Sequence, residues 1–184
     1  MSLVDAENSV REVTVLDMAK SREARVMKQS EMLARYSSEE KQFALVSFML
    51  NIMGSVKKSP LYDKAFFEGV KRIKEAFSKI GADIIEESTE EKFTGNEYLA
   101  LVNKNPLQIK QTVVELEEMD ILGRIFDIDV LRPNGEKVER SEVGKQERKC
   151  LLCSQSAHVC SRNRTHSLAS LVSAIERIIS EQLE

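Results

Sequence analysis

The sequence predicts an α+β fold (mixed α/β) in a single domain, and three observations carry it. From Leu61 to Ile80, apolar residues recur at helical spacing. Phe43–Leu50 and Tyr98–Val102 are short apolar runs of strand type. Arg132-Pro133-Asn134-Gly135 is a turn signal that folds a strand back on its neighbour. Helices, strands and a hairpin alternate along 184 residues with no repeat or linker to divide them, which suits one domain spanning 1–184.

In chain order, residues 1–13 precede the first helix signal and are expected to form a poorly ordered tail. Thr14 followed by Asp17 has the pattern of a capped helix start, and Leu16, Ala19, Val26, Met27 and Leu33 follow at helical spacing. Phe43–Leu50 suits a strand buried on both faces. It runs into a loop holding Asn51, Gly54 and Lys57, where a glycine lets backbone approach a ligand and a lysine can neutralise phosphate. Ser59-Pro60 starts the long helix and Gly81 ends it. Ile84-Ile85 and Tyr98–Val102 are two strands joined through the turn Thr94-Gly95-Asn96. Asn105-Pro106 repeats the cap-and-proline start for a helix with Leu107, Val113, Val114 and Leu116. The hairpin turn leads to a returning strand over 136–143, and Ser167 to Leu183 closes the chain as an amphipathic helix.

Just before the hairpin, Gly123-Arg124-Ile125-Phe126-Asp127-Ile128-Asp129-Val130 carries two carboxylates two residues apart in a strand-type run. Alternation puts Asp127 and Asp129 on one face and Phe126, Ile128 and Val130 on the other. Same-facing carboxylates repel unless a cation sits between them, and Mg²⁺ takes such oxygen ligands. A half-buried edge strand with a polar face is the plainer alternative, although Asp is depleted in strands.

Charge is uneven around a net of −3. Asp83 to Glu97 holds six acids against Lys92, and Lys145 to His166 holds five bases against Glu147. Arg140, Arg148, Arg162, Arg164 and His166 therefore read as donors to an anionic, polyphosphate-like ligand, with a solvated basic face as the alternative. The chain as a whole is too acidic for a nucleic-acid coat, and no apolar run is long enough to span a bilayer. Three cysteines without a secretory signal suit a reducing cytoplasm.

Cys150, Cys153, Cys160 and His166 form a tetrahedral zinc set by type. Yet positions 150, 153, 157 and 160 share one face of a continuous helix, where buried thiols pack as small apolar groups. No Gly or Pro lies between Cys153 and Cys160 to break that helix, so the spacing favours packed thiols over zinc.

Gly-Arg-Ile-Phe-Asp-Ile-Asp-Val at 123–130, Arg-Lys-Cys-Leu-Leu-Cys at 148–153 and Cys-Ser-Arg…His-Ser at 160–167 together resemble one family. It is the apo-citrate lyase phosphoribosyl-dephospho-CoA transferases, also called holo-citrate lyase acyl-carrier-protein synthases. The likeness extends to Arg22-Glu23 with Arg25, Leu50-Asn51-Ile52 with Gly54 and Lys57, and Thr94-Gly95 with Glu97. The family loop usually reads Asn-Ile-Pro-Gly-Pro, where this chain has Met53 and Ser55. The family often has His-Pro-Leu before Gly-Arg, where this chain has Asp120-Ile121-Leu122.

The resemblance implies a nucleotidyltransferase-like mixed sheet flanked by helices. The reaction it implies joins a serine of the citrate lyase acyl-carrier subunit to 2′-(5″-triphosphoribosyl)-3′-dephospho-CoA and releases diphosphate. Asp127 and Asp129 would hold Mg²⁺, and Arg124 would act with them at the reacting phosphate. Asn51, Gly54, Lys57, Gly123, Arg140, Arg148, Arg162, Arg164 and His166 would bind the precursor. Asp120 and Glu139 are candidates for a third carboxylate. A non-catalytic zinc-containing or carrier-binding module is the alternative.

Overall fold

A computed structural model describes residues 11–36 and 42–183. In chain order it runs α1 (Val15–Tyr36), β1 (Ala44–Leu50), α2 (Pro60–Lys79), β2 (Asp83–Glu90), β3 (Glu97–Asn103), α3 (Pro106–Met119), β4 (Phe126–Leu131), α4 (Ala157–Asn163) and α5 (Leu168–Leu183). Short 3₁₀ turns cover Gly123–Ile125 and Arg140–Val143. The strands form one sheet in the order β2-β3-β1-β4. All three pairings are antiparallel, so the mixing of the α+β class lies in the elements and not in strand direction.

Alternation decides the two faces of this sheet. Ala44, Val46, Phe48, Tyr98, Ala100, Val102, Phe126, Ile128 and Val130 point to one side and pack with α2, α3 and α5. Phe43, Leu45, Leu99 and Leu101 point to the other and meet Met32 and Leu33 of α1. Phe48 stacks on Phe66 at 5.2 Å and meets Phe126 edge-on at 5.3 Å. A Cβ on Gly69 would stand 2.3 Å from the Phe48 ring, so glycine is what lets α2 lie this close to β1.

The expected caps form. Thr14 Oγ1 accepts from the Asp17 amide while Asp17 Oδ2 accepts from the Thr14 amide. Ser59 and Asn105 cap α2 and α3, each before a proline. Of the expected tail, residues 1–10 lie outside the described part. The remainder is fixed by Val13, whose amide donates to the Ser55 carbonyl at 2.7 Å, and by Arg11, stacked 3.5 Å over the Phe93 ring.

Three expectations change. The returning strand does not run over 136–143: Lys137 bridges Leu131 and Val138 donates to the Val130 carbonyl, but Glu139 then caps the 3₁₀ turn together with Glu142. In α1, Leu16, Val26 and Met27 are exposed, and only Met32 and Leu33 are buried. The sheet surface under the front of α1 is polar, so Arg25 pairs with Glu97 at 2.9 Å, and Lys28 pairs with Glu90 and reaches Ser88 at 2.6 Å. The cysteine segment is not one helix either, because α4 begins only at Ala157. Ahead of it a tight turn closes through Cys150 N to Gln155 O at 2.7 Å and Ala157 N to Arg148 O at 2.8 Å. Ser154 and Ser156, poor helix formers that favour turns, suit this break without Gly or Pro.

Candidate functional site

Asp127 and Asp129 alternate with buried Phe126, Ile128 and Val130 along β4, and both point to the α1 side of the sheet. Their cross-strand partners on β1 are Met49 and Ser47. The side chains are 47% and 39% exposed, open enough to meet a ligand. Burial pushes the Asp127 carboxyl above its ordinary pKa and the Asp129 charge adds to that, against the pull of Arg148, Lys137 and Arg25. Asp129 Oδ1 lies 2.6 Å from Lys137 Nζ on the far side of the hairpin. Burial lowers the Lys137 pKa, but the two aspartates raise it by more.

Arg148 ties these carboxylates to the rest of the site. Its guanidinium donates to the Phe126 carbonyl at 2.7 Å, pairs with Glu117, and lies 3.7 Å from Asp127 Oδ1. Glu117 is 3% exposed, at a position of α3 where an apolar residue would otherwise pack. It also accepts from the Ile128 amide at 3.1 Å and from Arg140 at 2.5 Å. Burial raises its pKa by more than Arg148, Lys110, the Ile128 amide and Arg140 lower it. Lys110, equally buried two turns earlier on α3, has its ammonium 3.4 Å from the Ile128 carbonyl.

Three cavities border this network. One of about 320 Å³ is lined by Asn51, Met53, Arg124, Arg148, Arg164 and His166, with Leu168, Leu171 and Ile175 of α5 as an apolar wall. A second, about 340 Å³, is walled by Arg124, Arg140 and Arg148 with Glu117 and Glu118. The third, about 160 Å³, brings Asp127 together with Asn51, Lys57, Thr94 and Asn96. Polar donors thus converge from four separated stretches of chain, beside an apolar wall that would suit the organic part of a nucleotide-like ligand.

The remaining sequence-predicted residues are placed as follows. Arg140 spends its donors on Glu117, Glu118 and the Gln146 carbonyl. Gly123 presses on α3, since a Cβ there would stand 2.2 Å from the Leu116 carbonyl oxygen. Gly54, at φ 87°, faces Val172 of α5. Arg162 is exposed on α4 and lines none of the three cavities. The Lys57 ammonium donates to the Ile52 carbonyl, and burial lowers its pKa. Asp120 accepts from the Gly123 amide at 2.8 Å and pairs with Arg72 of α2 at 2.7 Å, while Glu139 is occupied as a cap. Met53 lines the 320 Å³ cavity where the resembled family has proline.

Sequence reasoning missed Glu117, Lys110 and Lys137. Their signals were charged residues at the spacing of the buried α3 stripe, and a lysine two positions past the hairpin turn.

Beside the largest apolar wall, Cys150, Cys153, Cys160 and His166 bring one ligand atom each within 4.8 Å of one another, a cluster able to hold a metal ion. Cys153 Sγ lies 3.4 Å from both Cys160 Sγ and His166 Nε2. The cluster adjoins the arginines directly: Arg124 Nη2 donates to the Cys150 carbonyl at 2.5 Å and the Lys149 carbonyl at 3.2 Å.

A family model described as apo-citrate lyase phosphoribosyl-dephospho-CoA transferase matches residues 13–182. Curated proteins of that name from Shigella boydii serotype 18, Escherichia coli O157:H7 and Shigella sonnei are each 32% identical over 181 residues. Those alignments cover 98% of this chain and 96% of each relative.

Proposed function

Because the chain belongs to the apo-citrate lyase phosphoribosyl-dephospho-CoA transferase family, we propose that it attaches the phosphoribosyl-dephospho-CoA group to a serine of the citrate lyase acyl-carrier subunit. The donor is 2′-(5″-triphosphoribosyl)-3′-dephospho-CoA, and diphosphate leaves. One observation supports this most: Arg148 touches the Asp127 carboxylate while lining the two larger cavities, so carboxylates and phosphate donors share one centre.

In this nucleotidyltransferase-type step, the serine oxygen forms a bond to the α-phosphorus. The bond from that phosphorus to the bridging oxygen of diphosphate breaks, and the serine proton passes to solvent. Arg124 and Arg148 face the developing negative charge of the leaving diphosphate, where preset donors act most strongly. Arg164 and Asn51 orient the precursor, and the α5 wall of Leu168, Leu171 and Ile175 receives its apolar parts. Asp127 and Asp129 fit Mg²⁺ on their own chemistry, being two same-facing, half-exposed carboxylates of which one is raised in pKa by burial and by the other. Bound there, the ion would polarise the phosphate under attack.

The test is the intact mass of the apo carrier subunit after incubation with precursor, Mg²⁺ and this protein. The expected gain is that of the phosphoribosyl-dephospho-CoA group. An unchanged mass at every protein concentration sinks the reading, and carrier binding without a mass gain would favour a non-catalytic carrier-binding module.

Arg164 gives a second check. It caps α4 at φ 48°, a left-handed conformation usually left to glycine. Arg164→Gly is expected to raise stability by up to about 1 kcal/mol through relief of that strain. It also removes a charged donor worth ~1.5–3 kcal/mol, so KM for the precursor should rise roughly tenfold or more. An unchanged KM would take the guanidinium out of the site.

A further inference from the structure

We propose that Cys150, Cys153, Cys160 and His166 bind a structural Zn²⁺, and that this ion holds the arginine-bearing wall of the site in place. Three sulfurs and one nitrogen make a closed tetrahedral set, the composition of structural and not catalytic zinc centres. Zn–S bonds of about 2.3 Å and a Zn–N bond of about 2.0–2.1 Å put the ligand atoms of such a tetrahedron roughly 3.5–3.8 Å apart. Cys153 Sγ sits 3.4 Å from Cys160 Sγ and from His166 Nε2, and all four atoms lie within 4.8 Å of one another. A small ion therefore fits once the longer separations close by up to about 1 Å, within the reach of side-chain rotation.

Backbone geometry points the same way. Ligands arrive from the tight turn at Cys150, from the first half of α4 and from the segment just beyond its left-handed cap. Three separate segments thus bring their ligand atoms together, where packed thiols would need only one helix face.

The segment has almost no core of its own. Between Val138 and Ala174, Cys150 and Cys160 are the only buried residues. Leu152 and Val159, which a hydrophobic lobe would turn inward, are 37% and 44% exposed. A stretch of this length without a core needs a staple, and the two buried residues it has are both cysteines of the cluster. Arg148 stands at the base of this turn and reaches Phe126 and Glu117, while Arg124 grips the Lys149 and Cys150 carbonyls. An ion that orders the turn thereby orders both arginines.

Protein purified under reducing conditions and freed of loose metal is expected to carry one zinc per chain by elemental analysis, and Cys153→Ser at least tenfold less. Co²⁺ in place of zinc should give thiolate-to-cobalt charge transfer and the intense visible bands of a tetrahedral ion. Thiol alkylation of the unmutated protein guards against a variant that fails to fold: the cysteines should react slowly before chelation and much faster after it. Hydrogen exchange over 145–167 should accelerate on chelation while β1–β4 stay protected. Sub-stoichiometric zinc after reconstitution, cobalt bands of an octahedral oxygen-ligated ion, or alkylation and exchange indifferent to chelator would each overturn the proposal. The metal readouts do not depend on transfer activity, so zinc bound by an inactive protein upholds this inference while removing the transferase reading.

Discussion

Asp127→Asn is expected to lower transfer at least ~100-fold, the scale of losing one preset charge in a reaction centre, while the protein melts no lower than before. The first half follows from position: Asp127 lines the cavity shared with Asn51 and Lys57 and lies 3.7 Å from Arg148. The second follows from linkage. Burial, then Asp129, raises the Asp127 pKa in the folded state. A group with a raised folded pKa binds its proton more tightly when folded, so its stabilising contribution is full below the unfolded value and is lost as pH rises through the folded value. At neutral pH the ionised carboxylate therefore costs stability, and asparagine removes that cost. The same shift gives the transfer reaction an acid limb above the ordinary carboxylate pKa, since metal binding needs the ionised form. Asp129→Asn removes the other carboxylate of the pair and is expected to lower transfer to a similar extent. Transfer within tenfold of the unmutated protein in Asp127→Asn, or a marked fall in its melting temperature, would contradict this account.

Glu117→Gln is expected to be the most destabilising of the conservative changes. Gln keeps the shape but removes the charge that Arg140 and Arg148 share, with Lys110 also buried nearby. Removing one partner from a buried ion network costs about 3–5 kcal/mol, and the low end applies here because Arg140 keeps Glu118 and Arg148 keeps the Phe126 carbonyl. In a chain of this length that corresponds to a fall in melting temperature on the order of 10 °C. Urea unfolding should report the loss as a lower midpoint at an unchanged slope. A loss below about 1 kcal/mol would mean that the network relaxes into solvent and is not structural. Transfer should fall in parallel, because Glu117 aims the Arg148 guanidinium between β4 and the cavities.

Sequence by itself determined whatever depends on near neighbours along the chain. The period-two pattern of 126–130 placed Asp127 and Asp129 on one face because successive side chains of any strand alternate. Thr14, Ser59 and Asn105 marked three helix starts because a cap bonds amides two or three residues away. β2 was legible only as Ile84-Ile85, because an edge strand wet along its length keeps charges such as Glu86, Glu87 and Glu90, and these pair with Arg35, Lys74 and Lys28 from neighbouring helices.

What only the tertiary structure decided involves partners far apart in sequence. The apolar side chains Leu16, Val26 and Met27 stay exposed because the sheet beneath that part of α1 is polar, which no window within α1 reveals. Glu117 becomes a keystone only when the segment carrying Arg140 and Arg148 folds back across α3. The cysteines read as one helix face because no Gly or Pro between Cys153 and Cys160 signals a break in the helix. A turn closed by Cys150 and Gln155, and a helix delayed to Ala157, bring three sulfurs and a histidine nitrogen together instead. Local chemistry fixes which groups the chain can offer, and long-range packing fixes which of them meet.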